Sequence, residues 1–448
     1  MVRQAQRKED FMETGKALEG KPYAENPHVR FDEGEVASAA MPRRGSLLYK
    51  AMWVAGGLCL ASILSATAAP LIGEVEASQD SSRQVRIVYT LSNENAVVTF
   101  DVRTNGVSIG RTALLRAWGD VNKAVARSES RQDRLICWQP RETWPDHIIT
   151  DRSLTVVVTA WAMDAPPDYL VLDLAYGSAP TYYQSEEEVP GGVTNRVYKG
   201  DKLVMRRLHS EGVLHRQGSP LDEPDRAAAQ EQPRNVVLTN DFYIGIYPVT
   251  RLQFGWVMNR SDVTGFNPVV GQTYNQLRGA APTIDWPTTG GTVASDSQIQ
   301  AFRTRTGIAN IDLPTEAQWE FACRAGTSTA RYVPVSSLDD LYTIAWCNGK
   351  SVGQEVGLLV PNAFGLYDML GNATEWCLDW SVDDTYTAGE TYIHPVGPVT
   401  GVGRALRGGG FENGPIYQRA AFRNRQRPGN GTASCGYRLA ISIPVQYR

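Results

Sequence analysis

The sequence predicts an α+β chain: a small all-β sandwich followed by a larger domain with little regular secondary structure. Three observations carry that expectation. Residues 84–178 read as a run of short strands broken by turn residues. Gly (41) and Pro (25) are plentiful, which favours a loop-rich fold over a helical bundle. Residues 311–326 carry a helix signal with its own cap.

The length of 448 residues suggests two or three domains, and 42% hydrophobic with 21% charged residues is an ordinary globular composition. A net charge of −4, with no basic stripe interleaved with aromatics, gives no footprint for nucleic acid. Residues 1–40 are polar and lack apolar periodicity. "MPRRGSLLYKAMWVAGGLCLASILSATAAP" then places Arg43, Arg44 and Lys50 around the start of an uncharged apolar run, Ala51 to Leu64. Ala66-Thr67-Ala68 makes an A-x-A cleavage signature. We therefore expect a signal peptide over 41–68, with Met41 as the start and 1–40 as an extension, and export to the periplasm or exterior. The alternative is a cytoplasmic tail and a membrane anchor over 51–69, a stretch only marginally long enough to span a bilayer.

Cleavage would leave Cys137, Cys323, Cys347, Cys377 and Cys435, an odd number with at least one unpaired. There is no C-x-x-C, and His28, His147, His209, His215 and His394 are scattered without metal-ligand spacing.

Taken in order, "QVRIVYTL" alternates apolar and polar residues, and "AVVTFDVRTNGVSIG" adds a strand and an Asn105-Gly106 turn. "SLTVVVTAW" and "DYLVLDL" read as further strands around "MDAPP". Such a set suggests a sandwich of immunoglobulin or fibronectin type, with no catalytic constellation in it. A polar linker over 179–199 contains Pro190-Gly191-Gly192, and "DKLVMRRL" opens a second domain over 200–448. "VVLTNDFYIGIYPVT" reads as strand, turn, strand, and "RLQFGWVMN" as a short helix. In "IDLPTEAQWEFACRAG", Thr315 can cap a helix with Gln318 three residues on, Trp319 shares a face with Ala322 or Cys323, and Gly326 ends it.

Four stretches in matching order resemble the formylglycine-generating enzyme, or sulfatase-modifying factor, family across about residues 195–445. They are "NDFYIGIYPVT", "LPTEAQWEFACRAG", "NAFGLYDMLGNATEWCLDW", and "LRGGGF" with the closing "CGYRLA". The resemblance implies a C-type-lectin-like fold with long loops. It also implies a structural calcium ion held by Asp368, the carbonyls of Gly371 and Ala373, and Glu375. Two carboxylates around a Gly-containing turn suit a hard cation that wants oxygen ligands. The bland alternative has Glu375 bonded to backbone amides of a nearby loop, without metal.

Active members of that family hold copper(I) on two cysteines just after the motif matching Arg407-Gly408-Gly409, and soft thiolates suit that ion. Here the segment continues Gly410-Phe411-Glu412-Asn413-Gly414-Pro415-Ile416-Tyr417-Gln418, without cysteine. Copper is not expected. Cys323 and Cys377 are expected as free buried thiols, or in a Cys323–Cys377 or Cys347–Cys377 pair. Phe411 and Arg423 read as structural. The candidate ligand-binding residues are Glu412, Asn413, Tyr417, Gln418, Phe422, Asn424 and Arg425, a mixture of aromatic, amide and cationic side chains typical of binding surfaces. Of these, Tyr417, Gln418, Phe422 and Asn424 are expected to be exposed.

Two functional classes follow. One is an exported lectin-like binder of a glycan, peptide or surface protein through the 410–434 loops. A variant of it is the variable protein of a diversity-generating retroelement, which randomises this segment. The other is an oxidoreductase, maturing sulfatases or oxidising at a non-haem iron, although no His-His-carboxylate set is visible in the second domain.

Overall fold

The computed structural model describes residues 69–130, 133–145, 154–280, 291–381 and 386–443. The expected signal peptide, Cys59, His28 and His147 lie outside them. Among the described residues no helix is long and apolar enough to cross a membrane.

Two antiparallel sheets come first. One runs in the order Leu71–Gln79, Val85–Ser92, Leu135–Trp138, Ala117–Gly119. The other is built on Ala96–Thr104, which pairs with Val107–Ser108, Lys123–Val125 and Leu154–Ala162. The alternation in Val85–Ser92 turns every second side chain inward, as the two-residue period of a strand requires. Ile87, Tyr89, Val98, Phe100, Ile136 and Trp138, drawn from both sheets, share one core. Asn105 (φ 51°) and Gly106 (φ 81°) make the two-residue turn read from the sequence. Both positions need positive φ, and this pair of residues tolerates it.

The second region is organised by a six-stranded antiparallel sheet. Its order is Thr181–Tyr183, Tyr169–Asp173, Lys202–Leu208, Phe242–Gly245, Ala440–Ser442, Ile311–Asp312. Here the structure differs from the expectation. "DYLVLDL", read as a strand of the first domain, pairs with Lys202–Leu208. Tyr169 and Val171 join one core cluster while Leu170 and Leu172 join another. A strand covered on both faces reads as a continuous apolar run, so its sequence says nothing about which sheet it enters. The stretch read as a linker likewise holds the edge strand Thr181–Tyr183 and the core residues Val189, Val193 and Tyr198.

The "LPTEAQWEF" helix runs Glu316–Arg324 with the expected reciprocal box. Thr315 Oγ1 accepts from the Gln318 N–H (3.1 Å), and Gln318 Oε1 accepts from the Thr315 N–H (2.9 Å). Ala325 takes the left-handed position at its end, one residue before Gly326. "FYIG" is a strand, but the following "YPVT" is not its partner. Thr250 instead caps the helix Arg251–Val257. The helices Tyr274–Arg278, Gln298–Thr306 and Leu338–Tyr342 have no counterpart in the sequence reading, nor do the short Arg111–Leu114 and Pro140–Thr143. The remaining four-stranded sheet, in the order Asn424–Gln426, Gly403–Arg407, Thr374–Ser381, Cys435–Gly436, carries the candidate loop.

Candidate functional site

The Glu316–Arg324 helix buries all nine of its residues, including two carboxylates four apart on one face. Arg407, fully buried, donates to Glu320 and pairs with Glu316 (3.3 Å). Arg423 grips Glu316 with two bonds of 2.7 Å, and Arg324 reaches Glu320 at 2.8 Å. Burial alone would raise both carboxyls, but the guanidiniums outweigh it. Arg423 and Arg407 hold Glu316 below the usual range, and Arg324 and Arg407 hold Glu320 at about 2. Both therefore stay ionised and locked.

That node positions the loop after Gly408-Gly409. Arg419 bonds both oxygens of Glu231 (2.7 and 2.8 Å) and also Glu223 (2.7 Å), and Arg423 donates to the Gln230 carbonyl. The loop is thus stapled to the 218–232 segment. Its outer face presents Tyr417, Asn424 and Arg425, with Ile416 45% exposed. Phe422 is half-buried, and its ring meets Tyr417 edge-on at 5.0 Å. Glu412 is exposed and accepts from Ser434 Oγ, while Asn413 is half-buried and accepts from the Gly410 N–H. Gln418 departs from expectation: it is fully buried against Gly409, and neither amide atom has a hydrogen-bond partner. Arg419 turns inward to Glu231 and draws the adjacent Gln418 in with it. Phe411 and Arg423 are buried, as their structural reading required.

The expected metal ligands lie on one turn and strand behind this loop. Gly371 has φ 80°, and a Cβ there would meet the Trp346 carbonyl at 2.6 Å. Asp368 is 2% exposed and held by neutral donors, the Gly357 N–H (2.7 Å) and the Asn372 amide (3.2 Å). Burial pushes its carboxyl up to about 6. A buried carboxylate without a guanidinium bonded to it fits a hard cation. Glu375 fits less well: Arg438 bonds both of its oxygens (2.9 and 3.2 Å), and the Trp319 indole donates at 2.7 Å. Its partners are side-chain donors, not the backbone amides of the metal-free alternative.

The model of the sulfatase-modifying factor enzyme 1-like domain matches residues 207–443, more than half of the chain. The chain belongs to this family. The serine/threonine-protein kinase pkn1 of Chlamydia pneumoniae is 28% identical over 58% of this chain and 40% of the kinase. The formylglycine-generating enzyme of Thermomonospora curvata is 35% identical over 29% of this chain and 48% of the enzyme. The chain thus spans less than half the length of either relative. The structure of PvdO from Pseudomonas aeruginosa aligns over 54% of this chain and 94% of that one, with 21% identity and a TM-score of 0.43.

Within this family member the described cysteines are all free and buried, so neither expected pair forms. Burial pushes the thiols of Cys323 and Cys347 up to about 12 and about 11, so both are poor nucleophiles near neutral pH. His209 pairs with Asp168 and Asp241, His215 packs on Phe321, and His394 bonds to Thr239. Among the described residues no three His, Cys, Asp or Glu side chains are grouped to hold a metal ion.

The residues missed in the sequence are those of the node, Glu316, Glu320, Arg324 and Arg407, and separately Arg438, which pairs with Glu375. The available signal was a pair of Glu at i, i+4 in a helix that also carries Ala317, Trp319, Phe321, Ala322 and Cys323, with Arg-rich strands downstream. Replacing Arg423 by Met leaves Glu316 with half its countercharge in a buried site. The expected loss of unfolding free energy in urea is about 3–5 kcal/mol, with proteolytic nicking in 415–424 ahead of global unfolding. A loss within about 0.5 kcal/mol, the range of ordinary surface substitutions, would mean that the staple does not hold the loop.

Proposed function

We propose that this protein is a ligand-binding member of its family, not a copper oxidase. The reading takes the region from Tyr169 onward as a lectin-like module, the two sheets before it as an immunoglobulin- or fibronectin-like spacer, and the whole as exported. The observation that carries it is the stapled loop. Buried ion pairs at Arg419 and Arg423 fix its inner side, while Ile416, Tyr417, Phe422 and Asn424 lie on its outer side. Side chains of this kind on a pre-ordered loop bind without a large ordering cost. The segment offers no thiol where active relatives carry their copper cysteines. The ligand is a glycan, peptide or surface protein.

Probing glycan and surface-protein arrays with the full-length chain tests this. A specific ligand should be retained by the parent protein and weakened at least about tenfold by the Tyr417→Ala, Phe422→Ala pair, with urea stability little changed. A ligand held equally well by that variant would move the site elsewhere.

Calcium belongs to the same proposal. Asp368 would hold the ion together with the carbonyls of Gly371 and Ala373, and the ion would supply the countercharge that Asp368 lacks. Millimolar calcium should raise Tm relative to EDTA, and Asp368→Ala should remove the rise. A Tm indifferent to calcium would leave Arg438 as the cation of this turn.

A further inference from the structure

A cleft of about 600 Å³ opens between the Arg251–Val257 and Tyr274–Arg278 helices and the start of the Gln298–Thr306 helix. Its size is that of a small-molecule site. It is separate from the stapled loop and neighbours only its far limb, where the Asn275 N–H donates to the Pro428 carbonyl (3.0 Å).

The lining has two characters. Phe254 and Met258 are half-buried and supply an apolar strip. Around them stand polar groups that can both donate and accept. Arg251 is exposed and commits its Nε to the Thr264 carbonyl, and its charge also acts on Asp262. Asp296 is exposed and offers a carboxylate. Gln298, 4% exposed, donates to Gln272 Oε1 (2.6 Å), and its own Oε1 accepts nothing. Arg260 is neutralised by the bidentate Asp262. The charges therefore balance, Arg251 against Asp296, and no excess charge selects an ion.

An apolar strip ringed by amides and by one group of each charge suits a molecule with a C–H face and several hydroxyls, each both donor and acceptor. We propose that this cleft binds a neutral saccharide of one or two rings. The inference does not depend on the loop at 410–434.

The test is saturation-transfer NMR and calorimetry on the full-length chain with D-glucose, D-galactose, D-mannose and N-acetyl-D-glucosamine. At least one sugar should bind saturably. Arg251→Ala and Asp296→Ala, both surface changes, should each weaken it about tenfold, and Arg251→Lys should weaken it less. If a ligand of the loop is still bound by Arg251→Ala while the sugar is lost, the two sites are separate. No saturable binding by any of the four sugars would overturn the proposal. So would sugar binding untouched by both alanine substitutions, or a cleft that takes extended peptides instead.

Discussion

Arg407 carries a guanidinium into a site with no solvent exposure and meets two carboxylates, Glu316 and Glu320, from one helix. Taking these charges out of water is costly, and each is tolerated only while its partners stay in place. Arg324 and Arg423 complete the set, and the Gly218 N–H donates to Glu320. A helix, a strand, the 415–424 loop and the 218–232 segment are thereby fixed to one point. None can shift without leaving a buried charge exposed to a low dielectric. Arg438 does the same on the other side of Trp319: it holds Glu375 and donates to the Gly245, Ile246 and Tyr367 carbonyls. In a region with long loops, such side-chain bonds to backbone do what sheet ladders do elsewhere.

This arrangement separates stability from the outer surface. The inward sides of the loop residues are committed to ion pairs, so the outward side chains can vary without touching the node. Asn413 and Gln418 lie in the segment that follows the Arg407-Gly408-Gly409 motif, and that segment carries no cysteine before Cys435. Gln418 is buried with both amide atoms unpartnered, a cost of roughly 1–3 kcal/mol per unsatisfied group. The ion pairs of the neighbouring Arg419 hold the loop in place despite that cost.

Much of this was legible where the signal is local. The Thr315–Gln318 box, the Asn105-Gly106 turn and the alternation of Val85–Ser92 each depend on residues a few positions apart. The motifs in order carried the family. What was hidden depends on distant partners. Tyr169–Asp173 is apolar throughout and could enter either sheet. Gln418 looks like any loop amide until Arg419 is seen to turn inward to Glu231. The partners of Glu316 and Glu320, Arg407 and Arg423, lie far along the chain, so the ion pairs have no local signature. The short Tyr274–Arg278 and Leu338–Tyr342 helices have capping boxes of their own, at Thr273 and Ser337, and were within reach of the rule that found Thr315.

The most direct measurement is turnover. The full-length chain would be loaded with copper(I) and calcium and offered a cysteine-containing sulfatase peptide, following oxygen uptake and the mass of formylglycine. Neither product nor oxygen consumption is expected from a folded preparation, because the described thiols are buried and none lies between Arg407 and Ser434. Formylglycine formed over many turnovers would contradict it and would require a copper site built from other residues, with Cys323, Cys347, Cys377 and Cys435 the first to replace.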